Sequence, residues 1–77
     1  MKRKTREVAK PTNEGAGVPP APAVIVARRK ACKLSQTEAG VLVYSALRTW
    51  QQWEAGDREM HPGLWELFLI KTEAMLS

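Results

Sequence analysis

Residues 47 to 56 read LRTWQQWEAG, a stretch that sets Arg48, Gln51 and Gln52 among Leu47, Trp50 and Trp53. In a helix the three apolar residues, spaced by three, form one stripe, and Arg48, Thr49, Gln51 and Gln52 occupy the rest of the surface. Side chains of those polar types can read base edges in a major groove. An arginine donates twice to O6 and N7 of guanine, a glutamine pairs with N6 and N7 of adenine, and an apolar side chain packs on a thymine methyl. Arg48 is therefore the candidate guanine reader, Gln51 and Gln52 are candidate adenine readers, and Leu47 is the candidate for a thymine methyl. For one of the two glutamines a phosphate contact is the alternative.

Other chemistry finds little support. Cys32 and His61 are the only residues of their kind, so one chain can assemble neither an internal disulfide nor a four-ligand zinc site. No nucleophile stands in a pattern with a base, and the chain reads as a non-enzyme without cofactor or metal. Cys32 is expected to be a small packing residue, and His61, ahead of Pro62, to mark the end of a loop.

The formal charge of +4 is unevenly spread. Residues 1–33 hold nine Lys or Arg against Glu7 and Glu14, a net +7, whereas residues 34–77 hold three against six acids, a net −3. A basic start on a mildly acidic remainder points to a polyanion approached from one side, with a solubilising tail as the bland alternative. Lys2, Arg3, Lys4 and Arg6 are candidates for following a phosphate backbone or entering a minor groove. No apolar run nears the roughly 18 residues needed to cross a bilayer. The basic start leads into Pro, Thr, Asn, Glu and Gly rather than an apolar stretch, which is unlike a secretory signal and predicts a cytoplasmic protein.

At 77 residues there is room for one domain, and chains this short bury only roughly 60% of their unfolded surface, so a second subunit would help. KPTNEGAGVPPAP, residues 10–22, holds four of the five prolines and reads as a linker. Residues 1–22 are thus expected to be a disordered basic arm and residues 23–77 the folded domain. VIVARRKAC follows as a short helix with Val24, Val26, Ala27 and Ala31 inward and Arg28, Lys30 and Lys33 outward. Ser35-Gln36-Thr37-Glu38 fits a capping box, which starts a second helix at Gln36 with Ala39, Leu42 and Val43 apolar. The third helix ends at Gly56, suited to a left-handed residue. Pro62 opens a fourth helix through about Met75. Its apolar face, which includes Leu64, Trp65, Leu67, Phe68, Leu69 and Ile70, is too wide for one hairpin to cover, and the surplus is a candidate dimer surface.

Two short helices joined by about three residues, the second carrying buried aromatics, make a helix-turn-helix. Residues 24–62 resemble the Cro/C1-type (Xre-like) family of phage repressors and small bacterial regulators. Leu34-Ser35-Gln36, Glu38, Thr49-Trp50, Trp53-Glu54, Gly56 and Arg58 carry the resemblance, which covers about half of the chain. It implies an all-α, four-helix domain like that of lambda repressor, with motif helices about 36–43 and 46–55 and the second of them in the major groove. It implies a bacterial setting, phage- or plasmid-encoded included. The activity implied is that of a homodimeric repressor on a palindromic operator in double-stranded DNA, its own promoter among the candidates. Gln36 matches the glutamine opening the first motif helix, Gly40 a small residue that is usually alanine, and Arg29 with Glu54 an internal salt bridge. Gln36, Thr37, Ser45, Thr49 and Arg58 become the phosphate-positioning candidates. The chain departs from the pattern at Tyr44 and Lys33, where the family has glycine, and at Ser45, where it has an apolar residue. Left-handed backbone at a non-glycine costs roughly 1 kcal/mol or somewhat more, so the geometry of the turn 44–46 stays open. Rival readings are an antitoxin with the same domain and a toxin partner, or a protein-interaction module that has lost DNA binding.

Overall fold

A computed structural model of the chain describes residues 17–76. The candidates Lys2, Arg3, Lys4 and Arg6 lie outside the described residues. All regular structure among the described residues is helical: α1 (Pro22–Ala31), α2 (Gln36–Leu42), α3 (Leu47–Ala55), α4 (Pro62–Thr72) and a closing 3-10 turn over Glu73–Leu76. None of these helices is long and apolar enough to cross a membrane. The boundaries differ by a residue from those expected, because Val43 is the C-cap of α2 and Ala46 the N-cap of α3. The fourth helix stops three residues short of Met75, where the chain tightens into the 3-10 turn.

The core gathers on Trp50, which is fully buried and meets Trp53 edge-on at 5.5 Å and Phe68 at 5.0 Å between ring centroids. Ile25, Ala39, Val43 and Met60 complete it, with Leu34, Leu42, Leu64, Trp65 and Leu67 packed around the edge. Trp65 stacks on Phe68 at 5.9 Å, which makes it a core-edge residue.

The inward face of α1 is not the expected one. Ile25 and Cys32 are buried, whereas Val24 is 49% exposed and Ala27 and Ala31 are exposed. The helix is rotated because two arginines share its inward side and find partners there. Arg28 donates from Nε to Thr72 Oγ1 at 3.1 Å and from Nη2 to the Leu69 carbonyl at 3.0 Å, fastening α1 to the end of α4. The Thr72 hydroxyl, fully buried, donates in turn to the Phe68 carbonyl at 2.7 Å. Satisfied donors remove most of the penalty of burying a polar group, so an arginine can hold a position that periodicity alone would give to alanine.

Three helices end in the same hydrogen-bond pattern. The amides of Leu34, Ser45 and Asp57 reach back to the carbonyls of Arg29, Gly40 and Gln52, at 3.2, 2.8 and 3.0 Å. Such a six-to-one closure needs a left-handed residue just before its donor. Gly56 supplies it after α3 with φ +84°, but Lys33 (φ +59°) and Tyr44 (φ +60°) supply it after α1 and α2. The turn at Tyr44 therefore keeps the geometry a glycine would give, with strain of about 1 kcal/mol at each non-glycine.

Tyr44 has compensation that Lys33 lacks. The Lys71 ammonium lies 4.4 Å from the Tyr44 ring centroid, donates to its hydroxyl at 3.2 Å and donates to the Leu42 carbonyl at 2.7 Å, capping the end of α2 from α4. A cation on an exposed ring contributes about 0.5 to 1 kcal/mol, enough to offset much of the strain. Lys33→Gly is accordingly expected to raise stability by about 0.5 to 1 kcal/mol, and Tyr44→Gly to leave it nearly unchanged. Urea titration of both variants checks the difference, and equal gains would refute the compensation by Lys71.

Candidate nucleic-acid interface

The unit α2–turn–α3 is built from its caps inward. Ser35 Oγ accepts from the Glu38 amide at 3.0 Å and the Glu38 carboxylate accepts from the Ser35 amide at 2.8 Å, so the expected capping box is present in both halves. Gly40 is the closest point between α2 and the turn. A Cβ there would lie 2.8 Å from the Ser45 carbonyl oxygen, a backbone atom that cannot swing aside. The glycine thus stands where the related pattern has alanine because this turn folds tightly over it.

Glu54 fixes α3 to the rest of the domain. Its carboxylate accepts from Arg29 Nε at 2.6 Å and Nη2 at 3.2 Å, from Gln36 Nε2 at 2.9 Å and from Trp50 Nε1 at 2.7 Å. A carboxylate has about four lone-pair sites, and all are filled. The Arg29 and Glu54 side chains are 13% and 8% exposed, so the expected salt bridge is a nearly buried one. Arg29 also donates from Nη1 to the Leu34 carbonyl at 3.0 Å, binding the link between α1 and α2. Burial pushes the Glu54 carboxyl up, but hydrogen bonds from Arg29, Gln36 and Trp50 together with the Arg29 charge outweigh it and hold the group below its ordinary value of 4.5.

With Trp50 and Trp53 buried and Glu54 tied inward, the opposite side of α3 faces solvent. Arg48 and Gln51 are exposed, Leu47 is 41% exposed, and Gln52 is half-buried at one margin. Helical spacing also puts the exposed Ala55 between Gln51 and Gln52 on that surface, a position the sequence reading passed over because alanine carries no hydrogen-bonding group. Gln51 is not loose: its Nε2 donates to Gln36 Oε1 at 3.3 Å, while Gln36 donates to Glu54. Gln36 is thereby drawn from a pure phosphate candidate into the support of Gln51.

The phosphate-positioning candidates divide into three places. Gln36 and Thr37 open α2, where Thr37 is exposed, but the amide of Glu38 is already taken by Ser35 and a carboxylate stands beside it. Ser45 is half-buried and donates to the Val43 carbonyl at 3.3 Å, just ahead of α3. No side chain caps α3, since its N-cap is Ala46, so its first amides point outward with the positive end of the helix dipole. Thr49 and Arg58 come together in an open groove of about 430 Å³, lined also by Trp53, Asp57, Glu59, His61 and Leu64.

His61 is more than a loop end, because its Nδ1 accepts from the Gly63 amide at 2.9 Å and caps α4. Cys32 is buried with Sγ 3.9 Å from the Thr72 carbonyl, in keeping with a packing residue. Among the described residues no three His, Cys, Asp or Glu gather as metal ligands would.

Sequence reasoning missed Lys71, Arg28 and Met60. Lys71 carried a signal, for it falls seven residues after Leu64 and three after Phe68, an inward position where a cation needs an acceptor. Neither a known protein-family model nor a curated protein matches the chain.

Two consequences can be measured. Gly40→Ala should cost about 1 to 3 kcal/mol in spite of alanine's better helix propensity, because the Ser45 carbonyl must move; a stabilised variant in thermal unfolding would show that the turn yields freely. For Glu54, a depressed folded pKa gives a contribution fully present above the unfolded value near 4.5 and lost as pH falls through the folded one. Glu54→Gln should therefore lose stability at pH 7, and its deficit against the parent should shrink below about pH 4.5. Chemical denaturation at pH 7, 5, 4 and 3 tests this, and a constant deficit would rule it out.

Proposed function

We propose that the chain is a sequence-specific DNA-binding regulator of the Cro/C1 type, a homodimeric repressor that sets α3 in the major groove of a palindromic operator. One observation carries the reading. The inner side of α3 is fixed by Trp50, Trp53 and Glu54, while Arg48 and Gln51 project from the outer side and Gln51 is held by Gln36.

A helix of nine residues is about 13.5 Å long and fits a groove about 12 Å wide. Arg48, in the first turn, is assigned to guanine, and Gln51, one turn on, to adenine. The hydrogen bond donated to Gln36 uses one of the two Nε2 hydrogens of Gln51 and leaves Oε1 and the other hydrogen for N6 and N7 of the base. Gln52, half-buried at the margin, is assigned to phosphate or to a neighbouring base, and Leu47 to a thymine methyl. Uncapped amides at the start of α3, with Ser45 beside them, meet one phosphate strand, and Thr49 with Arg58 meets the other.

One helix contacts too few base pairs to discriminate well, whereas two copies read half-sites one turn apart. The exposed Ile70, with 66% of its surface open on α4, is apolar surface that a second subunit could cover.

Selection from randomised duplex DNA is the direct test. A palindrome is expected; recovery of no motif sinks the specific-regulator reading, and an asymmetric motif sinks the symmetric dimer. Arg48→Ala should relax preference at one position of each half-site and cost about 1 to 3 kcal/mol on the selected sequence. Equal weakening on every sequence would reassign Arg48 to phosphate.

A further inference from the structure

Two non-glycine residues are held in the left-handed region, and the fold offsets the cost of only one. Tyr44 carries Lys71 on its ring and hydroxyl, whereas the Lys33 side chain is exposed and makes no hydrogen bond or ion pair among the described residues. The backbone around Lys33 is nevertheless firmly held. Its amide donates to the Lys30 carbonyl at 3.0 Å, the Leu34 amide donates to the Arg29 carbonyl at 3.2 Å, and the Leu34 carbonyl accepts from Arg29 Nη1 at 3.0 Å. A glycine would close α1 in the same way without strain, so packing supplies no reason for a lysine here. Strain of this kind gathers where a residue meets a ligand.

The surroundings of Lys33 define that ligand. Lys33 stands two residues ahead of Ser35, the N-cap of α2, and Gln36 in the first turn of α2 donates to Glu54 and accepts from Gln51 of α3. The start of α2 thus borders the outer surface of α3 beside Gln51. Thr37 is exposed there, but the Glu38 amide is taken by Ser35 and the Glu38 carboxylate lies on the Ser35 amide. This edge therefore repels a phosphate unless a cation stands near it. Arg29 cannot serve, because Glu54 engages its guanidinium in a nearly buried pair. Along the chain, Lys33 is the cation nearest to Thr37.

We infer that Lys33 is a phosphate-binding residue: its ammonium, carried on the strained link between α1 and α2, holds the DNA backbone at the start of α2 beside the Thr37 hydroxyl. The inference rests on the reading of α3 as the base-reading helix. It adds a backbone contact to those assigned to the two ends of α3, met through charge and not through base edges. A glycine at this position would relieve the strain and leave the Glu38 carboxylate unopposed.

The test uses the full chain and compares Lys33→Gly, Lys33→Gln and Lys33→Arg on the selected duplex and on a random one. Lys33→Gly and Lys33→Gln should weaken binding to both duplexes by the same factor and lower the salt slope by about 0.9. Their deficit against the parent should then shrink about threefold between about 50 and 200 mM salt. Lys33→Arg, which keeps the charge, should bind as the parent does. One phosphate should be found whose ethylation weakens the parent but not Lys33→Gly. In urea, Lys33→Gly should unfold later than the parent, so that binding is lost while stability is gained, which no purely structural role would produce. A parent-like slope in both uncharged variants, an ethylation pattern that Lys33→Gly shares with the parent, or a deficit in Lys33→Gly that is absent from Lys33→Gln would each overturn the inference, while a selected palindrome would still stand for α3 as the reader. Failure to bind any duplex at low salt would overturn the reading of α3, and the inference with it.

Discussion

The carboxylate of Glu54 is the point on which this small domain turns. It accepts four hydrogen bonds from three residues on three helices: Arg29 of α1, Gln36 of α2 and Trp50 of α3 itself. An ion pair so little exposed has a large desolvation cost, and its merit lies in geometry more than in net free energy. Removing one partner leaves the other charge buried and unpaired, at about 3 to 5 kcal/mol, so the arrangement tolerates no partial version. What it specifies is the rotation of α3 about its own axis. Trp50 and Trp53 would accept a few degrees of roll within an apolar core, but a bidentate arginine and an indole N–H on one carboxylate would not.

From that constraint follows the outer surface of α3. A helix that cannot roll presents the same residues outward in every copy, and a hydrogen bond from Gln51 to Gln36 extends the order of the interior by one more side chain. The turn supports this from the other end. Tyr44 closes α2 in a left-handed conformation, Gly40 lets the Ser45 carbonyl come close, and Lys71 reaches across from α4 to the last carbonyl of α2, that of Leu42. Strain at Tyr44 and a lysine on an inward position look like separate irregularities in the sequence. In the fold they offset each other.

This pairing shows how far the sequence was legible. Caps and periods are local, so Ser35 with Glu38, Gly56 and the Trp50–Trp53 stripe placed α2 and α3 to within a residue, and Arg48, Gln51 and Leu47 emerged on the exposed side. Long-range polar partners are not local. Nothing around Arg28 announces Thr72, 44 residues away, and so α1 was given the wrong inward face. The same blindness hid Gln36, whose place at the start of α2 suggested phosphate while its partners lie 15 and 18 residues further on. Hydrophobic period fails where a half-buried arginine finds hydrogen-bond acceptors on a neighbouring helix, because the pattern then counts an inward position as surface.

The remaining physical problem is charge, since residues 34–77 are net negative and the proposed ligand is a polyanion. The acids are not equivalent. Glu54 is neutralised by Arg29, and Glu38 is engaged with the Ser35 amide in its capping box. Glu66 is exposed on α4, on the side turned away from the core. Asp57 and Glu59 are different, for they flank Arg58 at the negative end of the α3 dipole and make that end the least hospitable to phosphate. The uncapped start of α3 can hold a phosphate with backbone amides alone, but the far end needs cations from elsewhere. Pro19 to Pro22 line a recess at that far end together with Gly56, Arg58 and Glu59. At that end of α3 a single guanidinium, Arg58, stands between two carboxylates, so in the proposed complex the two ends of the helix would hold a phosphate by different means: backbone amides at the start and one flanked cation at the end.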